Sequence, residues 1–480
     1  MSEPIAQSEP GEPIAAAWEW DADEVRRIGH RVADLVADHL TTLPGKPVWQ
    51  PYAATVPPAD GGPVGLDDVL DEIAERVLPY PFGNGHPRYA AWVNSPPHVL
   101  GAYAEALAAT LNPSVAGGDH AAVHVEREVI RVFRELAGFP DTGMGLLVSG
   151  GSMATLTALA VARHRAAERH GLDVRAHGLA GRTFVLYLGT EGHGSARKAA
   201  ELLGIGSANI RLIPADADHR MRSDLLRQQV EADKAAGVVP VAVMASAGTV
   251  NTGAIDPLAE IAEICAEHDL WLHVDGSYGG PAVLLLDDHA PVRAALSAVD
   301  SIALDPHKWL YAPVDVGLVL LRDARLARDA FSLVPPYLRT DDEPWFSEFG
   351  FDQTRPFRAL KVWAQLRHLG LDGYRRLIAR DIAVAGRLAA AVDADPELEL
   401  LAHGLSVVCF RGAGLTDEQN REVLTDVQRS GRAFLAGTTV NGVFALRACV
   451  VNPRMGSADA EAIVAEVCRA AGLIRRRAPH

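Results

Sequence analysis

Five short apolar runs in the middle of this sequence are each followed closely by polar residues of catalytic type. Run 146–148 leads into Ser149-Gly150-Gly151-Ser152, and run 186–188 into Glu191-Gly192-His193-Gly194-Ser195. Run 241–245 leads into Ser246-Ala247-Gly248-Thr249, and run 270–274 into Asp275-Gly276-Ser277-Tyr278. Run 302–304 leads into Asp305-Pro306-His307-Lys308-Trp309. Taken singly each is ordinary: Gly-Gly-Ser is a common helix cap, and an isolated lysine is usually solvated. Taken together they meet one chemical requirement. A lysine amine whose pKa is lowered by burial adds to an aldehyde. A carboxylate keeps a pyridine nitrogen protonated, so the ring becomes an electron sink. Backbone N–H groups at a helix start bind a phosphate, and an imidazole packs on the ring face. That is the set pyridoxal 5'-phosphate needs. The order along the chain is phosphate loop, histidine, aspartate, lysine, with Asp275 and Lys308 33 residues apart. No GxxxxGK[ST] loop and no CxxC pair occurs, so P-loop and zinc readings have no support and no metal site is expected.

Those loops must be held at strand ends by a sheet. The spacing predicts helices over 152–170, 195–203, 223–236 and 257–268, alternating with strands over 183–188, 210–213, 239–245 and 270–274. Short strands at 301–304 and 316–321 follow. Strands alternating with helices of this length give an α/β domain with a mainly parallel sheet, and ligands of such sheets sit beyond the carboxyl ends of the strands. The strands are apolar throughout, as when helices cover both faces. The last hundred residues predict a small α+β unit, with strands at 398–409 and 444–451 and helices at 416–430 and 458–471. Near the start, helices over 23–43 and 66–77 flank a proline-rich extended arm. Their apolar stripes are too small to make a core alone and need a surface to lie on. Residues 1–16 read as a frayed tail. The expected organisation is an N-terminal helical segment 1–85, a large domain 86–375 and a small C-terminal domain 376–480.

Composition narrows the function classes. The chain has 480 residues, 48% hydrophobic and 22% charged, which is a globular composition. Lys and Arg number 45 against 61 acidic residues, a net charge of −16. That balance argues against nucleic-acid partners and anionic membranes. Four scattered cysteines, no basic leader with an apolar run, and no apolar stretch of spanning length point to a cytoplasmic protein without a membrane helix.

The segments His273-Val274-Asp275-Gly276-Ser277-Tyr278 and Asp305-Pro306-His307-Lys308-Trp309-Leu310 resemble the signatures of the group II pyridoxal-phosphate-dependent amino acid decarboxylases. The likeness is strongest to the aromatic-L-amino-acid decarboxylases and runs over nearly the whole chain. His86-Pro87-Arg88-Tyr89, Ser152-Met153-Ala154-Thr155-Leu156 and Arg355-Pro356-Phe357-Arg358-Ala359-Leu360-Lys361 fall in register with it. The resemblance implies a fold-type I, aspartate aminotransferase-like enzyme with a seven-stranded mainly parallel sheet. It implies a homodimer, clasped by the N-terminal helices, with active sites at the interface. By resemblance Lys308 carries the cofactor aldehyde, Asp275 pairs with the pyridine nitrogen and His193 stacks on the ring. Gly150, Gly151 and Ser152 hold the phosphate, with Thr249, Ser277 and His307 completing the site. The implied reaction is decarboxylation of a neutral, aromatic L-amino acid to the amine and CO2.

Four departures from that pattern stand out. A gapless count back from 358–361 places the family's proton-donating tyrosine, carried on a mobile loop that reaches in from the neighbouring subunit, on Phe346, which has no hydroxyl. Relatives with phenylalanine there include aldehyde synthases, which decarboxylate and oxidatively deaminate with O2. Another group, such as His193, a water, Tyr337 or Tyr311, is the alternative proton source. Val250 replaces a threonine, and Asp305 replaces a usual asparagine. The run Trp92-Val93-Asn94-Ser95 replaces a Tyr-Phe-Pro-Thr substrate wall.

Overall fold

The computed structural model describes residues 20–59, 62–333 and 344–477. The chain forms two compact units, residues 1–83 and 84–480. The predicted frayed tail at 1–16 lies outside the described residues.

In the first unit, α1 (Ala22–Thr42) starts where Asp21 accepts the N–H groups of Asp23 and Glu24 at 2.9 and 2.8 Å. This satisfies donors that a helix start leaves free. It is joined to α2 (Leu66–Arg76) by ion pairs of Arg27 and Arg31 with Asp67 and of Arg31 with Asp71. All are at least partly exposed and contribute little to stability. No side chain of α1 is buried, so its apolar positions still lack a core, as its composition foretold.

The second unit contains α3 (Val99–Leu111) and α4 (Ala121–Leu136), then a seven-stranded sheet. Its strands are β1 (Met144–Val148), β2 (Phe184–Gly189), β3 (Ile210–Ile213), β4 (Val239–Ser246), β5 (Trp271–Asp275), β6 (Ser301–Leu304) and β7 (Gly317–Leu321). The spatial order is β1-β7-β6-β5-β4-β2-β3. β2 through β6 pair in parallel, linked by α6 (Ser195–Leu202), α7 (Ser223–Ala235), α8 (Leu258–His268) and shorter helices. β7 is antiparallel to both its neighbours, because segment 305–316 turns straight back from β6 without a crossover helix. Every residue of β1, β2, β5, β6 and β7 is buried, which accounts for their unbroken apolar runs. The helix that opens at the Gly-Gly-Ser loop, α5 (Gly151–Arg169), packs across β4 to β7. Its fully buried Ala154, Ala158 and Ala162 let it approach the sheet closely.

After α9 (Ala324–Phe331), a long helix α10 (Ala359–Asp393) bridges to the second sheet. It breaks at Gly370, whose φ of 63° belongs to the left-handed region. The first half packs on α3 and α4, and the element as a whole also meets β8 (Leu398–Gly404) and β9 (Val407–Gly412). The boundary expected at 375/376 therefore falls inside a helix, five residues past its kink. The single strand expected over 398–409 is a hairpin, turned at Leu405 with φ 49°. With β10 (Ala436–Val440) and β11 (Val443–Cys449) it forms an antiparallel sheet of order β10-β11-β9-β8. Two helices, α11 (Asp417–Arg429) and α12 (Ser457–Arg477), complete this smaller layer.

Candidate active site

The loops after β1, β2, β4, β5 and β6 converge on one cavity of about 310 Å³. Ser149 to Met153, His193, Thr249, Asp275, Ser277, His307 and Lys308 all line it. Nine predicted cofactor-site residues thus meet in one place, from positions spread between 150 and 308. Parallel strands explain the convergence, because every carboxyl end points the same way.

Gly151 opens α5, and the Gly150 backbone before it packs on Gly317, where a Cβ would fall 2.5 Å from Gly150 Cα. A Cβ at Gly151 would fall 2.2 Å from Ser277 Oγ and 2.9 Å from Asp305 Oδ2, so the loop tolerates no side chain there. Lys308 Nζ lies 2.8 Å from Asp305 Oδ2, and the lysine side chain keeps 24% of its exposure while the aspartate keeps 3%. The amine is therefore held by a buried counter-charge yet reachable from the cavity. Asp305 Oδ1 is buried with no hydrogen-bond partner. His307 Nδ1 meets the carbonyl of Val316 at 2.7 Å, and its Nε2 stands 3.9 Å from Asp305. This fixes the residue preceding the lysine against β7.

Asp275, the last residue of β5, is buried, and its Oδ1 accepts the N–H of Ser277 at 3.0 Å. Two residues earlier, His273 is fully buried between Ser301 Oγ at 2.8 Å and Thr155 Oγ1 at 3.4 Å. Burial pushes its imidazole down to about 4, with the Asp275 charge opposing, so it is a neutral spacer beneath the site. His193 Nδ1 is 2.9 Å from Ser195 Oγ and accepts the N–H of Ser195 at 3.2 Å, which orients the ring at the start of α6. Thr249 Oγ1 accepts the N–H of Ala254 at 3.1 Å and meets Thr252 Oγ1 at 3.0 Å. Its hydroxyl shapes the loop after β4.

The residues present fit pyridoxal 5'-phosphate. Gly151 admits no Cβ, the helix start offers N–H groups, and the orphaned buried Oδ1 of Asp305 belongs to a residue lining the same space. A nucleophilic amine and a second carboxylate stand on adjacent strand ends. Among the described residues lining the cavity, Lys308 is the sole Lys or Arg.

Phe346 is not brought to this cavity. It opens a single 3-10 turn, Phe346–Glu348, and its ring lies 5.0 Å from the Arg355 guanidinium. Arg355 is buried, paired with Glu126 and donating to the carbonyls of Val115 and Leu147 at 2.8 and 2.7 Å. Phe346 thus packs on a buried ion pair behind β1. Tyr311 is also committed elsewhere: its hydroxyl donates to Asp381 at 2.8 Å. Tyr337 lies outside the described residues. Of the run 92–95, Ser95 Oγ donates to the carbonyl of His307 at 3.3 Å, and half-exposed Trp92 lies beside Phe434.

The sequence reading missed Asp381. This fully buried residue of α10 accepts the Trp309 indole N–H at 3.1 Å and the Tyr311 hydroxyl, so it grips the segment that follows Lys308. Burial pushes its carboxyl up to about 7. No local motif marks it, because its partners lie 70 and 72 residues away.

The profile described as pyridoxal-dependent decarboxylase conserved domain matches residues 63–413. An aromatic-L-amino-acid decarboxylase of Bacillus atrophaeus is 32% identical over 457 residues, covering 90% of this chain and 92% of that one. A phenylacetaldehyde synthase of Arabidopsis thaliana is 28% identical, covering 90% and 93%. The structure of Catharanthus roseus tryptophan decarboxylase in complex with L-tryptophan superposes with a TM-score of 0.86 at 27% identity, over 95% and 99% of the two chains. The architecture is that of the fold-type I pyridoxal-phosphate enzymes.

Proposed function

The chain belongs to the pyridoxal-dependent decarboxylase family, and from there we propose that it converts a neutral, aromatic L-amino acid to its amine and CO2, working as a homodimer. Its cofactor is pyridoxal 5'-phosphate and its activity that of a carboxy-lyase. One observation carries the neutral substrate. Among the described residues lining the cavity there is a single lysine and no arginine, and the cofactor claims that lysine, so this lining offers an acidic side chain no further Lys or Arg. The relatives named for aromatic substrates support the aromatic side chain.

The bound cofactor supplies the electron sink that accepts the pair left when CO2 departs. Lys308 provides the amine that holds its aldehyde, with Asp305 as counter-ion. Asp275 would hold the pyridine nitrogen, and the N–H groups at Gly150–Ser152 the phosphate. His193, fixed by Ser195, presents its imidazole to the cavity as a ring partner and as a proton carrier. The oxidative route to an aldehyde rested on Phe346, and its packing on Arg355 supports a structural role there.

The test is CO2 release from a panel of L-amino acids, with amine, aldehyde and O2 followed together. The expected result is highest kcat/KM for tryptophan, tyrosine or phenylalanine, with one amine per CO2 and no O2 uptake. Preference for glutamate or diaminobutyrate would overturn the neutral reading. Aldehyde with peroxide would overturn the amine.

A further inference from the structure

The opposite end of the large sheet carries a second cavity, of about 360 Å³. It sits where β2, β4 and β5 begin and where α5, α7 and α8 end. Active-site loops occupy the other ends of the same strands, so the two cavities are separated by the length of a strand, roughly 15 Å. The chain is acidic overall, yet four cations line this space: Arg165, Arg169, Arg182 and Lys234.

Lysine and arginine in a last helical turn offset the negative end of the helix dipole, about half a charge per helix. Three helices end here, and one carboxylate, Asp269, lines the wall. Asp269 binds Arg165 at 2.9 Å and also pairs with Arg169. Asp300 and Glu168 also act on Arg169, and Glu267 on Lys234, so the cations are offset from the walls while their heads still converge on one space. Arg182 and Lys234 make no ion pair among the described residues; Lys234 feels the charge of Glu267, and its Nζ stands 3.4 Å from a histidine, His268 Nδ1. His268 is itself nine-tenths buried, and its Nε2 makes no hydrogen bond. Arg165 is fixed by lying 5.9 Å over the Trp271 ring, so the site is partly preorganised. Burial and the neighbouring charge of Arg165 draw Arg169 below the ordinary guanidinium range, and Asp300 and Glu168 offset this only in part.

We propose that this cavity is a binding site for a small multiply charged phosphate anion of the di- or triphosphate class, remote from the cofactor site. Three arginines offer planar forks that match phosphate oxygens, and Lys234 adds a point charge. Four cationic side chains on one space favour an anion with several oxygens to share among them. The walls between the cations, Ala162, Val238 and Pro240 among them, are apolar and leave room for an organic group attached to the phosphates.

The experiment is isothermal titration of the holoenzyme, saturated with pyridoxal 5'-phosphate so that its phosphate loop is filled. Tripolyphosphate and ATP are the probes, without magnesium. Arg182→Ala/Lys234→Ala removes two exposed cations and should weaken binding about tenfold or more. Arg421→Ala/Arg429→Ala on α11 should change it less than twofold. Affinity in the wild type should fall steeply with added salt. Equal binding of both probes assigns recognition to the phosphate chain; tighter ATP adds the apolar walls; both support the site. No binding of either probe in the millimolar range overturns it. So does an affinity unaltered in the Arg182/Lys234 variant, which circular dichroism would show to be folded.

Discussion

At the residue scale, the site rests on Lys308 and the buried carboxylate that faces it. The ion pair with Asp305 places the amine, and the exposure left to the lysine keeps it reactive toward an aldehyde. Lys308→Ala should therefore abolish the linkage trapped by borohydride, with loss of cofactor absorbance and of turnover. Mass mapping of the reduced protein checks it; cofactor found on another lysine would refute the assignment. Phe346 gives the converse expectation. Its ring covers a buried arginine rather than lining the cavity, so Phe346→Tyr should leave the amine-to-aldehyde ratio and O2 uptake unchanged. A polar hydroxyl beside the Glu126–Arg355 pair should instead lower the melting temperature by a few degrees, roughly the effect of 1 kcal/mol or less. An oxygen electrode with amine analysis would expose any shift in product.

At the scale of elements, the decisive contact is α10 on the segment that follows Lys308. One carboxylate oxygen of Asp381 accepts both Trp309 and Tyr311, and the other is buried without a hydrogen bond. Trp309 in turn stacks on Tyr278 at 5.1 Å, tying the loops after β5 and β6 together. Burial raises this carboxyl to about 7 in the folded chain, against an ordinary 3.8. Below pH 4 both folded and unfolded chains hold the proton, and the group costs nothing. Between about 4 and 7 the unfolded chain releases it first, so stability is lost as pH rises through that window. Asp381→Asn keeps an acceptor and cannot ionise. The wild type should lose melting temperature relative to this variant from pH 5 to pH 8, and thermal unfolding at a series of pH values measures it. A constant difference would show that Asp381 does not titrate there. Such couplings were invisible in the sequence, whereas the five strand-end loops were plain. An apolar run followed by Gly, Asp or Lys is a local signal; a carboxylate meeting an indole across 72 residues leaves none. The hairpin at Leu405 had a local signal in Gly404 and Ser406, which the reading of 398–409 as one strand passed over.

At the scale of the whole molecule, each unit keeps apolar surface that its own packing does not use. In residues 20–83 the buried apolar side chains are Leu43, Val48 and Leu70, while Val25, Val32, Val69 and Ile73 stay exposed on the two helices. In the larger unit, α3 buries Ala104 and Ala108 and turns Val99, Tyr103, Leu107 and Leu111 outward. Leu107 and Leu111 are 63% and 68% exposed and sit one helical turn apart, so they form a ridge rather than scattered points. Monomeric surfaces seldom keep such ridges, and the natural occupant in a homodimer is a second copy of the chain. Light scattering should accordingly give twice the chain mass of 51.2 kDa. Charges placed on the ridge would have to be desolvated in the dimer but not in the monomer. Leu107→Asp/Leu111→Asp should thus shift the protein toward monomer while leaving its circular dichroism unchanged, because neither side chain belongs to the core. If the active sites are completed across the interface, turnover should fall with the dimer fraction and recover as protein concentration rises. A wild type that scatters as a monomer at full activity would remove the dimer from this account, and a variant that stays dimeric would move the interface away from α3.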